Sequence, residues 1–340
     1  MLPPEPRLPG AREVIDRKQH FVVHAPRQTG KTTSLAALAR DLTAEGRRAA
    51  LLFSCEQAKF AEDDVAAAER LILEAITAEA RYGLAPELRP PARWPDAAEG
   101  GLVRTGLSAW AERCPLPLVL FFDEIDALSG NSLISVLTQL RAGHNARPNP
   151  FPASVALCGL RDVRDYKVAS GGNPGRVSGP SPFNIIVKSL RMGDFTRDQV
   201  AELYGQHTGE TGQEFSTEAV DRAFECTQGQ PYLINAVADE IISNMGVKPP
   251  VTVTAGHVEQ AKERLILARR IHLDYLASRL AEPRVQRVME PVLAGEVLPG
   301  RDAVYDDDVA YVRDLGLIAQ MPPIRAANPI YKDVIVRTLT

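Results

Sequence analysis

The chain has no run of about eighteen consecutive apolar residues, the length that a bilayer-spanning helix requires. Its opening segment, Met1 to Gly10, is proline-rich and has no apolar core of signal-peptide length, so a soluble, cytoplasmic chain without membrane contact is expected. Cysteine is sparse. The four present, Cys55, Cys114, Cys158 and Cys226, lie far apart without a Cys-x-x-Cys pair, which speaks against structural zinc or a disulfide framework and for free thiols. The six histidines are scattered with no His-Glu-x-x-His spacing, so protease or nuclease chemistry has no support. Positive charge is not in excess either. Lys and Arg number 39 against 43 Asp and Glu, giving −4 and a pI near 5.9. Broad, non-specific adhesion to nucleic acid is therefore not expected, although a local basic patch remains open. With 340 residues, 45% hydrophobic and 24% charged, the chain can form two or three compact units.

What is present begins with a phosphate-binding turn. Phe21 to Val23 have buried-strand character, and from Thr32 the residues Leu35, Leu38, Ala39 and Leu42 recur at helical spacing, ending near Gly46. Between strand and helix, Ala25-Pro26-Arg27-Gln28-Thr29-Gly30-Lys31-Thr32 has Walker A spacing, with Ala25 at the position of the usual first glycine. Its methyl group is small, and the turn is expected to tolerate it. Candidate nucleotide contacts are Pro26, Arg27, Gln28, Thr29, Gly30, Lys31, Thr32 and Thr33. In such a turn, backbone N–H groups of the loop and helix start converge on phosphate oxygens and the helix dipole adds a favourable field. Lys31 is the candidate catalytic cation for the β- and γ-phosphates, and the Thr32 hydroxyl is a candidate Mg²⁺ ligand. ATP with Mg²⁺ is the expected ligand.

The second half of the site is Leu118 to Phe122, an apolar run ending in Asp123 and Glu124. Such a run reads as a central strand covered on both faces, and its carboxyl end is where ligands bind in open α/β sheets. Asp123 is the candidate metal-side carboxylate, holding Mg²⁺ through water. Glu124 is the candidate catalytic base for the attacking water. The long interval between the motifs implies a strand between them in sequence, supplied by Ala49 to Ser54, which points to the additional-strand, catalytic-glutamate (ASCE) arrangement. Ser154 to Cys158 reads as a fourth strand and Phe183 to Lys188 as a fifth. Arg161 follows the fourth strand and either senses the γ-phosphate or pairs with Asp162 or Asp165. Arg141 and Arg147 either reach a neighbouring subunit's nucleotide or are solvent-exposed.

The proline-rich stretch Leu84 to Asp96 reads as a surface excursion, and Ser170 to Pro182 as a mobile glycine-rich loop. From Thr196 the pattern turns helical: Val200, Leu203, Tyr204 and His207, then a Ser216-capped helix, then Gly229-Gln230-Pro231 opening another. A long helix is expected from Gly256 to Leu280, capped by Thr254. Helices over Val285 to Leu293 and Asp307 to Leu315, a hairpin near Met321-Pro322-Pro323 and a closing apolar segment follow. This order is compatible with a winged helix. The expected fold class is α/β, a P-loop NTPase (ASCE, AAA+-like) with a parallel sheet core at 1–193, a helical lid at 194–253, and a long helix plus C-terminal winged-helix domain at 254–340.

On these motifs the chain resembles a bacterial AAA-like domain ATPase, near the STAND ATPases and the origin-recognition-like AAA+ proteins. The resemblance rests on His24 to Thr32, Leu120 to Leu128, Cys158 to Tyr166, Thr227 to Pro231 and Asn328 to Tyr331. It implies an ATP-binding core, a helical lid and a winged helix, and it implies that Gly229 and Pro231 bring the lid against the nucleotide. Repeats or an effector domain, usual in STAND proteins, are not expected after Thr340, and no lid arginine of the sensor kind stands near Pro231. The favoured reading is a slowly hydrolysing conformational switch that couples nucleotide state to a protein partner. A DNA-binding, initiator-like or transposition-regulator-like ATPase is the alternative, a scaffold that never hydrolyses a third, and nucleotide-dependent self-association stays open. From Glu282 onward nine acidic residues face seven basic ones, and Asp306 to Asp308 precede the candidate recognition helix. Because DNA affinity comes largely from phosphate neutralisation, this charge balance disfavours DNA.

Overall fold

The computed structural model describes residues 2–160, 186–268, 279–295 and 306–339. Its contacts divide the chain into two compact units: Pro3–Ala25 with Lys31–Met192, and Gly193–Thr340 with Met1–Leu2 and Pro26–Gly30. None of the described helices is long and apolar enough to cross a membrane.

The first unit is a parallel sheet of β1 (His20–His24), β2 (Ala49–Ser54), β3 (Leu118–Asp123), β4 (Ser154–Gly159) and β5 (Ile186–Arg191), in the order β2-β3-β4-β1-β5. Alternate residues of each strand serve opposite faces. Phe21, Val23, Val119, Phe121, Ala156 and Cys158 pack with α1 (Ala11–Asp16) and α2 (Lys31–Ala44). Val22, Leu51, Phe53, Leu120, Phe122 and Leu157 pack with α3 (Val65–Gly83), α4 (Leu102–Arg113) and α5 (Gly130–Asn145). Two covered faces explain why the strands read as continuous apolar runs.

The additional-strand arrangement is present, but the strand lying between β1 and β3 in space is β4, paired with both. The strand between the motifs in sequence, β2, pairs with β3 at the sheet's edge. The fifth strand is described over Ile186–Arg191 and ends three residues later than expected; residues 183–185 lie outside the described ones. So does the glycine-rich stretch Ser170 to Pro182.

The proline-rich stretch is not a free excursion. Leu84 and Leu88 are buried in the core, Leu88 O accepts from Trp110 Nε1 at 2.9 Å, and Trp94 Nε1 donates to Thr77 Oγ1 at 3.0 Å. Gly106 makes room for the Trp94 ring: a Cβ there would lie 3.0 Å from it. A buried carboxylate completes this side. Glu69 on α3 accepts from Gly100 N (3.2 Å), Leu102 N (3.4 Å), Ser135 Oγ (3.1 Å) and the Gln139 amide, tying the start of α4 to α3 and α5.

His20 gives this unit an acid-sensitive point. Its ring is buried, Nδ1 accepts the Val155 N–H at 3.2 Å, and the His144 ring stands edge-on with centroids 4.6 Å apart. The neutral tautomer therefore carries its proton on Nε2. Burial holds its pKa well below the usual histidine value, and His144 and Arg147 depress it further. Because the folded state resists protonation and the unfolded state does not, stability is full above about pH 6.5. It then falls with acidification by up to about 1.4 kcal/mol per pH unit. Urea unfolding between pH 8 and pH 5 is expected to show this loss, with a flatter profile for His20→Asn. An equal slope in that variant would remove His20 from the account.

The second unit is helical among its described residues: α6 (Arg197–Thr211), α7 (Thr217–Thr227), α8 (Pro231–Asp239), α9 (Ala255–Leu267), α10 (Pro283–Ala294), α11 (Asp307–Asp314) and α12 (Pro329–Leu339). Caps define these elements. Thr196 and Gln199 form a capping box, Ser216 accepts from Ala219 N, and the Asp306 carboxylate accepts from Asp308 N and Val309 N. The long helix expected to reach Leu280 leaves helical bonding after Leu267. Residues 269–278 lie outside the described ones. Between α11 and α12, an antiparallel bridge joins Ile318 to Ala326 around the Pro322-Pro323 turn. One apolar cluster extends from Val200 on α6 to Ile335 on α12.

Candidate nucleotide-binding site

β1 ends at His24, and Ala25 is fully buried, so its methyl fits the turn. Its N–H donates to Gly159 O at 3.3 Å, and its carbonyl accepts from Lys31 Nζ at 2.8 Å. In the loop, Gln28 (φ 58°) and Gly30 (φ 76°) take left-handed backbone conformations, and the Thr29 hydroxyl donates to Pro26 O at 3.0 Å. Left-handed residues interleaved with others curl successive N–H groups toward one side, which makes an anion-binding concavity. Arg27 and Gln28 are exposed, Thr29 is buried, and Thr32 and Thr33 lie exposed on the first turn of α2. That turn has no acidic residue, so nothing on it opposes the positive end of the helix dipole.

Lys31, Thr32, Asp123 and Glu124 converge at the carboxyl ends of β1 and β3. The Thr32 hydroxyl donates to Asp123 Oδ2 at 2.6 Å, and the Glu124 N–H donates to Asp123 Oδ1 at 3.0 Å. Asp123 is 3% exposed. Burial raises its pKa most, the Glu124 charge adds to this, and the hydrogen bonds from Thr32 and Glu124 N–H and the Lys31 charge oppose it. A hydroxyl beside a carboxylate is a hard-oxygen donor pair, which suits Mg²⁺ shared with phosphate oxygens. Among the described residues no group of three or more His, Cys, Asp or Glu could hold a metal. A cation bound mainly through phosphates does not require one. The cysteines near Asp123, Cys55 and Cys158, are buried free thiols whose pKa burial raises, so both stay protonated.

Glu124 follows the strand with φ 54° and ψ 40°, a left-handed position that costs a non-glycine residue about 1 kcal/mol or more. Ser54, at the end of β2 and level with Asp123 in the sheet register, donates its hydroxyl to Glu124 Oε2 at 2.6 Å. The Ser54 hydroxyl oxygen in turn accepts from Glu56 N at 3.0 Å. Sequence reasoning missed Ser54. The available signal was a polar residue closing the otherwise apolar strand Ala49 to Phe53, at the sheet end where Asp123 and Glu124 also lie.

Other expectations fare differently. Arg161 lies outside the described residues. Pro231 is buried at the first position of α8, with the Gln230 side chain accepting from Leu233 N at 2.7 Å. Gly229 has φ 77°, and a Cβ there would fall 1.9 Å from Phe195 O, so close packing and backbone conformation both require glycine. Within this unit Gln230 Nε2 also lies 3.5 Å from Gln28 O. Arg147 is neither free in solvent nor reaching outward: it donates to the carbonyls of Lys18 (2.6 Å), Pro152 (2.7 Å) and Ala153 (2.8 Å).

Residues 14–166 match the model of a family described as an AAA domain. No curated protein sequence matches the chain. Among solved structures, the fold is similar to the Walker-type ATPase PABY2304 of Pyrococcus abyssi. That pair is 15% identical with a TM-score of 0.65, over 99% of this chain and 96% of that one. It is also similar to the ORC2 protein of Aeropyrum pernix, with 14% identity and a TM-score of 0.52 over 97% and 91% of the two chains. At such identities the likeness speaks for the fold. Residues 14–166 are thus similar to an AAA domain, and the parallel α/β sheet has the P-loop ATPase fold.

Proposed function

We propose that the chain binds ATP with Mg²⁺, hydrolyses it slowly, and uses the nucleotide state as a switch that engages a protein partner. The observation that carries the nucleotide reading is the approach of Thr32 Oγ1 to Asp123 Oδ2 at 2.6 Å, beside Lys31 at the start of α2. In this reading the backbone from Pro26 to Gly30 and the N–H groups of Lys31, Thr32 and Thr33 cradle the phosphates, while Lys31 compensates the β- and γ-phosphate charge. Thr32 and Asp123 would hold Mg²⁺, which neutralises charge on the phosphates. Glu124 orients the attacking water and takes its proton. Pro231 and the helices of 194–253 act as a lid, and 254–340 as the helix Ala255–Leu267 followed by a winged-helix module. This part is supported by the cap at Gln230 and by the hairpin between α11 and α12.

Slow turnover has a local cause in this account. The Glu124 carboxylate that accepts the Ser54 hydroxyl is held toward β2, so the bond must open before Glu124 can act. For an exposed pair such a bond contributes about 1 kcal/mol. Ser54→Ala is therefore expected to raise kcat roughly fivefold with little change in ATP affinity. Lower turnover in that variant would assign Ser54 to positioning the base instead.

The partner reading is tested by Mg²⁺-dependent ATP turnover, alone and with duplex DNA, at low and high salt. Turnover indifferent to DNA is the expected result. In α10 both basic residues are already engaged: Arg287 with Asp306 (2.6 Å) and Asp308 (2.8 Å), and Arg284 with Asp308 (3.1 Å). Stimulation by DNA that fades at high salt would replace the switch with the initiator-like reading.

A further inference from the structure

The second unit contains a cleft of about 430 Å³ outside the nucleotide site. Its walls come from α9 (Lys262), the end of α10 (Val292 and Leu293), the returning arm of the hairpin (Arg325) and the start of α12 (Lys332 and Asp333). Lys262 is largely buried and is held by Asp333 at 2.9 Å and Glu259 at 3.7 Å, which fixes a cation in the wall. Arg325 and Lys332 are exposed, and neither has an ion pair among the described residues. The two basic residues of α10, Arg284 and Arg287, are by contrast neutralised by Asp306 and Asp308.

We infer that this cleft docks a short acidic segment of a protein partner, with an apolar side chain on Val292 and Leu293 and carboxylates on Arg325 and Lys332. The inference rests on the reading of the chain as a partner-engaging switch. Three cations against Asp333 leave the walls net positive, and charge complementarity selects an anionic occupant. The half-buried Val292 and Leu293 select an occupant that also offers apolar surface. Duplex DNA meets neither condition well. Its phosphates do not fill an apolar pocket, and residues 282–340 carry more acid than base, which repels a long polyanion.

The test is fluorescence anisotropy on the full chain with a labelled synthetic peptide in which one leucine is flanked on both sides by glutamates. A peptide with glutamine for each glutamate, and a short labelled DNA duplex, serve as comparisons. Saturable binding of the acidic peptide alone is expected at low salt. Arg325→Glu with Lys332→Glu should weaken it at least about tenfold, and Val292→Ser about threefold. ATP affinity should stay unchanged in these variants, which also verifies that they fold. Peptide affinity unaffected by charge reversal, no saturable binding, or tighter DNA binding lost on charge reversal would each overturn the inference. Absence of peptide binding by the unsubstituted chain, with its ATP binding intact, sinks only this cleft, whereas an unsubstituted chain that binds the peptide but no ATP sinks the nucleotide reading.

Discussion

The Lys31→Ala protein is expected to bind ATP about a hundredfold more weakly than the wild type, with its fold intact. Lys31 is the first residue of α2, and its ammonium lies 2.8 Å from Ala25 O, at the mouth of the loop. A charge-assisted hydrogen bond to phosphate contributes about 2–3 kcal/mol, which corresponds to roughly the hundredfold expected. The loop itself does not depend on this side chain: Ala25 is anchored through its N–H to Gly159 O, and the Thr29 hydroxyl to Pro26 O. Calorimetric titration with ATP, alongside thermal melting, measures both. Unchanged affinity would show that the loop does not hold the phosphates.

Glu124→Gln is expected to separate binding from chemistry. The amide has the same shape, accepts from Ser54 as the carboxylate does, and leaves the Thr32 and Asp123 pair in place. ATP affinity should stay within about twofold of the wild type, since nothing that contacts the phosphates is removed. An amide cannot take the proton of water, so turnover should fall by about 10² to 10⁴. Equal turnover would exclude Glu124 as the base. A comparable loss of ATP affinity would mean that the substitution had disturbed the strained turn at the end of β3 rather than the proton transfer.

Local signals made much of this legible before the structure. The apolar runs at Phe21, Ala49, Leu118 and Ser154 are strands because both of their faces are covered, and the turn at Ala25 to Thr32 lies between a strand and a helix as its spacing requires. Thr196, Ser216 and Pro231 mark helix starts for reasons contained within a few residues. Features formed by distant residues were not legible. The place of β4 beside β1 as well as β3 depends on pairing with β1 from more than a hundred residues away, which no periodicity reports. Glu69 reads as an ordinary surface position of an amphipathic helix, yet four donors from α5 and the start of α4 bury it. Arg147 reads as a surface cation but closes three backbone carbonyls, and the apolar residues Leu84 and Leu88 draw a proline-rich stretch into the core. The Ser54 contact to Glu124 likewise exists only because β2 and β3 end level with each other.

The central claim is a Mg²⁺-dependent ATP site at Lys31, Thr32 and Asp123, and calorimetric titration of the wild-type chain with ATP, in Mg²⁺ and again in excess chelator, tests it most directly. Saturable binding of one ATP per chain, weakened at least about tenfold by the chelator, is the predicted result. Absence of ATP binding in Mg²⁺, or binding that the chelator leaves unchanged, would contradict it.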